Sequence, residues 1–262
     1  MRWAAWTIAR RELKSLFVSP IAYVILGIFA LISGIHFLAS LETFDKILKN
    51  AKMQAQFSQN TEIFSQINLN EMLVAQVVSF TFFLFLFTLP GITMGSLSEE
   101  KKQGTYELLF TSPISSWDII LGKLMACFGF FFLIVASQIV FLTVIFKFGN
   151  PEIGPVVASY TGLALCALVM VAVGIFTSSL TSNQIIAYFT AVFILLILLM
   201  IGWAAKIVPG NLATFFEAAS IQTHFEGFTK GIVSVSSLVY FFTVSLLFLA
   251  GTQISIDSLT RR

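Results

Sequence analysis

The chain has 262 residues, of which 57% are hydrophobic and only 11% are charged, and its formal net charge is +2. Soluble domains carry about a quarter charged residues, so this composition indicates an integral membrane protein. The basic residues are scattered among apolar runs, which excludes a nucleic-acid-binding surface. Cys127 and Cys166 lie within apolar runs, and His36 and His224 are far apart in the sequence. This pattern provides neither a disulfide framework nor a metal site, and we expect structural roles for both histidines.

Residues 1–20 predict an amphipathic helix that lies on the membrane surface. Apolar residues recur at helical spacing along one side, and the opposite side is polar and basic. The apolar side consists of Trp3, Trp6, Ala9, Leu13, Leu16 and Phe17. We expect the tryptophan rings to sit at the headgroup level and the cations to face anionic lipid. The predicted anchoring residues are Trp3, Trp6, Arg10, Arg11 and Lys14.

The rest of the chain alternates between long apolar segments and polar connections. Six of the apolar segments are long enough to cross a bilayer. They cover residues 21–41, 72–97, 119–146, 156–180, 185–205 and 232–256. The sequence therefore predicts an all-α integral membrane protein with six transmembrane helices and an N-terminal interfacial amphipathic helix.

Three segments carry further structural signals. Residues 42–71 are polar with apolar residues at helical spacing, which favours one or two short helices outside the bilayer. Pro90-Gly91 predicts a kink near the end of the second span, because proline removes a backbone donor. The fourth span is the richest in small residues, so we expect close helix packing there.

The densest charge in the sequence lies between the second and third spans, from Ser96 to Lys123. Ser96 and Glu99 have the spacing of a helix capping box, which predicts a short helix over residues 97–110. Ser115, with Asp118 three residues later, predicts a second helix start. A helix held between two spans is stiff enough to transmit a push from a soluble partner into the membrane. The alternative is a solvated hairpin whose charges only keep it in water.

The sequence lacks the motifs of several catalytic and energy-coupling sites. It contains no GxxxxGK[ST] phosphate-binding loop and no HExxH, and no predicted span contains both a histidine and an acid. We therefore do not expect an enzyme. No charged residue lies well inside a predicted span, which removes the relay that proton-coupled carriers use. The strongest polar groups near the spans are Gln76, Gln138, Asn183 and Gln184, for which we expect packing or interfacial hydrogen bonds.

The distribution of basic residues predicts the orientation in the membrane. Six spans place both termini and the 96–123 loop on one side, with nine lysines and arginines against six lysines on the other. The nine are Arg2, Arg10, Arg11, Lys14, Lys101, Lys102, Lys123, Arg261 and Arg262. Basic residues concentrate on the cytoplasmic side of membrane proteins, so we expect both termini in the cytoplasm.

The loop also resembles a known family signature. The dipeptides and tripeptides Glu99-Glu100, Gly104-Thr105, Glu107-Leu108-Leu109, Pro113-Ile114-Ser115 and Gly122-Lys123 resemble the cytoplasmic coupling helix of ABC-2 type permeases. With the six-span layout, the resemblance implies a single transmembrane domain over 1–262 with a coupling loop at 98–118. It further implies that this chain binds no cofactor and that ATP and Mg are held by a separate cytoplasmic ATPase. The residues that would contact this ATPase are Glu99, Glu100, Lys101, Gly104, Thr105, Glu107 and Pro113.

A second, shorter match concerns the end of the chain. The stretch HFEGFTKG at 224–231, with the closing Arg261-Arg262, resembles the gliding-motility and nitrous-oxide-maturation branch of these permeases. The resemblance implies an exporter in a bacterial inner membrane that works with a second permease copy or paralogue. It also implies a possible partner with a periplasmic domain. A membrane anchor or scaffold subunit without transport activity is the alternative, and it would show no dependence on ATP.

Overall fold

The computed structural model describes residues 2–58, 68–105 and 114–260, and within these ranges every regular element is a helix. In chain order the α-helices are α1 Arg2–Val18, α2 Pro20–Ser58, α3 Ala75–Thr93, α4 Ser98–Lys102, α5 Ser116–Phe148, α6 Ile153–Leu180, α7 Gln184–Ala205, α8 Asn211–Ala219, α9 Ile221–Thr229 and α10 Val235–Thr260. A π-helical turn, Asn70–Val74, leads directly into α3.

Six stretches of the described chain are long and apolar enough to cross a membrane. They are Pro20–Phe57, Asn70–Lys102, Ser116–Phe148, Ile153–Leu180, Gln184–Ala205 and Val235–Ser258. The predicted all-α fold with six transmembrane helices is therefore confirmed. The helices extend beyond the apolar runs from which the spans were predicted, because polar residues continue the same helical turns at several ends.

The first span continues much further than its apolar run. The sequence predicts one or two short helices after residue 41, whereas the helix there is the uninterrupted continuation of α2 to Ser58. Two ion pairs at i,i+4 spacing support this extension, Lys46 Nζ to Glu42 Oε1 at 2.7 Å and Lys49 Nζ to Asp45 Oδ2 at 2.6 Å. No glycine or proline lies between Gly34 and Ser58, so no residue there breaks the helix. Residues 59–67 lie outside the described part of the chain.

The centre of the bundle is α6, which packs against α3, α5, α7, α9 and α10. Its glycines allow this close approach. A Cβ atom at Gly174 would lie 1.9 Å from Thr93 Oγ1, and one at Gly162 would lie 2.6 Å from Phe228 Cβ. Between helices in a membrane, van der Waals contact rather than the hydrophobic effect drives association, so small residues at the contacts matter most. The predicted close packing of the fourth span is confirmed.

The second span ends in two steps. Pro90 lies inside α3, which ends three residues later at Thr93. Residues 94–97 form turns, and α4 begins at Ser98. Thr93 Oγ1 donates to the carbonyl oxygens of Leu89 and Pro90 at 3.0 and 3.3 Å, so the last turn of α3 is supported by its own side chain. Regular helix is therefore interrupted close to the position where the sequence predicts a kink.

The N-terminal helix α1 packs along α5. Two glycines of α5, seven residues and thus about two turns apart, accommodate it. A Cβ atom at Gly122 would lie 2.7 Å from Ile8 Cγ2 and 2.9 Å from the Ala5 carbonyl oxygen, and one at Gly129 would lie 3.1 Å from Leu13 Cδ1. The helix therefore contributes to the bundle itself.

The end of the fold away from α4 is closed by α8 and α9. The side chain of Ser220 accepts a hydrogen bond from Thr223 N and caps α9. His224 Nδ1 lies 3.1 Å from Ser237 Oγ, and His224 Nε2 lies 3.1 Å from the Ala218 carbonyl oxygen. The imidazole therefore joins α8, α9 and α10, which is the structural role expected for it.

Candidate coupling site

Several helix ends meet on one face of the bundle, which we call the loop face. It is formed by α4, the start of α5, the end of α6, the start of α7 and the end of α10, and α1 lies beside them. Ser115 Oγ accepts from Trp117 N at 3.3 Å, so the predicted helix start at Ser115 is confirmed. Ser116 Oγ donates to Asp257 Oδ1 at 2.8 Å and ties the start of α5 to the end of α10.

A buried lysine lies at the centre of the loop face. Lys123, two turns into α5, has a side chain that is only 1% exposed. Its Nζ lies 2.9 Å from Glu100 Oε1 and 3.3 Å from Glu12 Oε1, and it also donates to the carbonyl oxygen of Ser96. An ammonium group has three N–H donors, so these three acceptors use them all. One lysine therefore joins α1, α4 and α5.

Arg11 extends the charge cluster to the protein surface. Its guanidinium contacts Glu12 Oε1 at 2.8 Å and Glu100 Oε1 at 3.5 Å. The hydrogen bond to Glu12 raises the pKa of the Arg11 guanidinium above its ordinary value. We call Arg11, Glu12, Glu100 and Lys123 the ion cluster. Within this cluster, Lys123 and Glu100 form a buried pair. Removing one member of such a pair costs about 3–5 kcal/mol, because the remaining charge is left without compensation.

The start of α4 is capped by a residue from a distant helix. Ser178 Oγ, near the end of α6, accepts from Leu97 N at 2.9 Å and Ser98 N at 3.0 Å, and it donates to the Met94 carbonyl oxygen at 2.9 Å. The α4 N-terminus has no side-chain cap of its own. The predicted capping box is wrong, because Glu99 N, the donor that the Ser96 side chain would have satisfied, donates instead to the Gly95 carbonyl oxygen at 3.3 Å.

The helix that the loop forms is shorter than predicted. α4 ends at Lys102, and Gly104 has a φ of 70°, in the left-handed region that favours glycine. A continuous helix over 97–110 is therefore wrong, since the backbone turns at Gly104. Residues 106–113 lie outside the described part of the chain.

The predicted coupling residues fall into three groups. Glu99, Gly104 and Thr105 are exposed. Glu100 points inward to the ion cluster, and Lys101 Nζ donates to the Ser179 carbonyl oxygen at the end of α6. The remaining two lie outside the described residues, and they are Glu107 and Pro113. The structure thus places an exposed acid directly beside buried charges that reach three other helices.

The predicted anchoring residues lie on α1. Arg10, Arg11 and Lys14 are exposed, and Trp6 is 61% exposed. The side chain of Trp3 lies outside the described residues. The buried side of α1 matches the predicted apolar side in part. Ala9 is buried and Leu13 packs at Gly129, but the buried side also includes Ala5 and Ile8 and continues to Glu12. Because α1 packs on α5 with this side, Trp6 is left free to contact lipid.

Sequence reasoning did not identify the residues that hold the loop face together. Lys123 was counted as one loop cation among nine, although the α5 start at Ser116 places it two turns inside a helix. Glu12 is the single acid in a basic helix, four residues after the buried Ile8, and this spacing was the available signal. Ser178 had no local signal, because its partners lie about 80 residues away.

Three of the polar residues near the spans have defined surroundings. Asn183 Oδ1 accepts from Ile185 N at 2.9 Å and caps α7, and Gln184 lines a cavity beside the ion cluster. Gln138 is fully buried, and neither its Nε2 nor its Oε1 has a hydrogen-bond partner among the described residues. In the described part of the chain, no group of three or more His, Cys, Asp and Glu side chains is placed to hold a metal.

The chain is 30% identical over 147 residues to "Probable multidrug ABC transporter permease YbhR" of Escherichia coli K12, a match covering 54% of this chain and 38% of the relative. The protein of the same name from Escherichia coli O157:H7 matches equally. The aligned region thus spans well under half the length of these relatives. The profile described as "ABC-2 family transporter protein" matches residues 6–256, nearly the whole chain. The chain belongs to the ABC-2 family of transporter proteins.

Proposed function

We propose that this chain is the membrane-spanning permease subunit of an ATP-driven ABC-2 type transporter, and that its loop face receives the motion of a separate cytoplasmic ATPase. Membership of the family and the six candidate spans support the permease role. The sequence contains no phosphate-binding loop of the GxxxxGK[ST] type, so ATP and Mg²⁺ belong to the partner.

The observation that carries the coupling proposal is the ion cluster. Glu99 on α4 is exposed for contact with a partner, whereas the next residue, Glu100, is held 2.9 Å from the buried Lys123. A displacement of α4 therefore moves α1 and α5 with it or breaks a buried ion pair at a cost of about 3–5 kcal/mol. Such a helix is too firmly held to behave as a solvated hairpin. It is suited to transmit force into the spans.

We also propose an orientation of the chain in the membrane and a direction of transport. With the loop face in the cytoplasm, nine basic residues lie inside against six outside, as the positive-inside rule favours. Both termini are then cytoplasmic, in a bacterial inner membrane. We further propose export by a pair of permeases, either two copies or two paralogues. The short match at residues 224–231 supports the gliding-motility branch, in which a periplasmic-domain partner joins the complex.

Coupling is tested by variants at two exposed residues in and just after α4, Glu99 and Gln103. Glu99→Lys reverses an exposed charge, and Gln103→Trp adds bulk beside the turn, while both leave the ion cluster intact. We expect each variant to insert and fold normally but to lose most of the permease-dependent ATP hydrolysis when reconstituted with the co-expressed ATPase. The matched control is Glu217→Lys on α8, at the opposite end of the bundle. Wild-type assembly and ATP hydrolysis in both loop variants would instead favour a scaffold subunit.

Orientation is tested separately by cysteine accessibility in intact cells. A cysteine at Asn211 should react with an impermeant thiol reagent added outside, and a cysteine at Gln103 should react only after the membrane is opened. The native Cys127 and Cys166 are buried and serve as an internal background. Labelling of position 103 in sealed cells would reverse the proposed orientation.

A further inference from the structure

A cavity of about 250 Å³ lies beside the ion cluster, between α1, the start of α2, the end of α3 and α5. Its lining includes the apolar side chains of Leu16, Ile25 and Ala126 and the polar side chains of Glu12, Glu99 and Gln184. The volume is slightly below the range of about 300–1,000 Å³ that drug-sized ligands fill. The cavity therefore suits a small polar head with the first part of an apolar chain.

The charges of the lining residues decide which kind of head fits. The charged side chains that line the cavity are two acids, Glu12 and Glu99, and one base, Lys123. The base has no hydrogen-bond donor to offer, because its three N–H groups already reach Glu12, Glu100 and the Ser96 carbonyl oxygen. An anionic head would therefore meet two carboxylates without gaining a donor from the lysine.

The acids, in contrast, retain acceptor capacity. Within the described residues, Arg11 and Lys123 both contact Glu12 through Oε1, and Gln103 contacts Glu99 through Oε1. The other oxygen of Glu99, Oε2, lies over Gly95. A Cβ atom built at Gly95 would be 3.4 Å from Glu99 Oε2 and 3.5 Å from Gln184 Nε2. The absence of a side chain at Gly95 thus leaves a corner of the cavity open in front of a carboxylate oxygen.

We propose that this cavity binds the ammonium head of an amphiphile and that the apolar chain of the amphiphile packs against Leu16, Ile25 and Ala126. The ammonium would donate to Glu99 and Glu12, which supply the acceptors that such a head needs. A membrane lipid such as phosphatidylethanolamine and a free alkylamine both carry such a head, and the two share this chemistry. The inference concerns the permease alone and stands or falls without any ATPase.

The test measures how strongly a ligand shields a cysteine placed in the cavity wall. Ser15 lines the cavity and is exposed, so Ser15→Cys is modified by the neutral reagent N-ethylmaleimide in nanodiscs of phosphatidylglycerol. Peptide mass spectrometry follows position 15, and a cysteine at Asn211 reports effects outside the cavity. The probes are decylammonium, decanoate and decanol, which differ only in their heads.

We expect decylammonium to slow modification at position 15 by about fivefold or more, with little effect of decanoate or decanol. Glu99→Gln should raise the decylammonium concentration required by roughly fivefold. Gly95→Leu should abolish protection by filling the corner. The matched control Glu217→Gln, which removes an acid of α8 at the opposite end of the bundle, should change nothing. Equal protection by decanoate or decanol, or wild-type protection in Glu99→Gln, would overturn the proposal.

A second arm identifies the source of the ammonium. If phosphatidylethanolamine is the ligand, its addition to the nanodiscs slows modification at position 15 and leaves little further effect for decylammonium. If a free amphiphile is the ligand, phosphatidylethanolamine has no effect and decylammonium still protects. Both results support the site. Failure of both amines to protect position 15 would contradict it.

Discussion

Replacing Lys123 by methionine tests the ion cluster most directly. Methionine keeps an unbranched chain of similar length, so the packing around α5 is preserved while the ammonium is lost. Glu100 and Glu12 then lose a buried partner at 2.9 and 3.3 Å, and the Ser96 carbonyl oxygen loses its donor. Removing one partner from a buried ion pair costs about 3–5 kcal/mol.

The assay is thermal unfolding of the purified permease in detergent. A domain of this size loses about 2–4 °C of Tm per kcal/mol, so Lys123→Met should lower the Tm by roughly 6–20 °C. The control is Lys147→Met, which removes an exposed lysine from the other end of the same helix. That variant should shift the Tm by less than about 2 °C, as surface substitutions usually do.

A double variant separates the loss of the charge pair from any packing defect. Adding Glu100→Gln to Lys123→Met removes the stranded carboxylate, so the double variant should recover about 2 kcal/mol relative to Lys123→Met alone. A packing defect would persist in both. The reasoning is refuted if Lys123→Met unfolds at the wild-type temperature, or if the double variant is less stable than the single one.

Three further outcomes follow from contacts at helix crossings. Gly122→Leu should separate α1 from α5 at a cost of about 1–3 kcal/mol, and the N-terminal helix should then be proteolysed faster. The control Gly27→Ala should leave the proteolysis rate unchanged, because a Cβ atom there meets nothing within 4 Å. Ser178→Ala should cost about 1–3 kcal/mol and speed hydrogen exchange at the start of α4, because two backbone donors lose their acceptor; unchanged exchange would contradict this. Gly174→Val should prevent recovery of folded permease in size-exclusion chromatography, while Gly154→Ala at the open start of the same helix should be neutral.

The membrane-spanning fold could be predicted from the sequence because the length of an apolar segment is enough to identify a span. Each of the six spans contains an 18-residue stretch of high mean hydropathy, and the helix start at Ser115 is marked by a local cap that the structure contains. The length of α2 could not be predicted in the same way. Its polar half is stabilised by ion pairs between neighbouring turns, and hydropathy does not register them.

The loop face was harder to predict because its important contacts are not local. The Ser96 and Glu99 spacing fits a capping box, but in the fold Glu99 N donates to the Gly95 carbonyl oxygen, and a hydroxyl from α6 accepts from the two preceding backbone N–H groups. The buried side of α1 could be predicted only in part for a related reason. Leu13 of the predicted side packs at Gly129, but Gly122 also accommodates Ile8 and Ala5, which the helical pattern of α1 alone does not select. Glu12 lies one turn after Ile8 on this side and therefore reaches Lys123.

On the loop face, two side chains donate hydrogen bonds to the same backbone carbonyl oxygen. The Ser179 carbonyl oxygen accepts from Lys101 Nζ and from Ser255 Oγ, the latter at 3.1 Å, so α4, α6 and α10 meet at a single peptide group. No substitution at position 179 can delete that acceptor, whereas a single codon change at 101 or 255 removes a donor. A saturation-mutagenesis screen should therefore find position 179 tolerant of other small residues and positions 101 and 255 restrictive. Natural relatives should likewise vary more at position 179 than at positions 101 and 255.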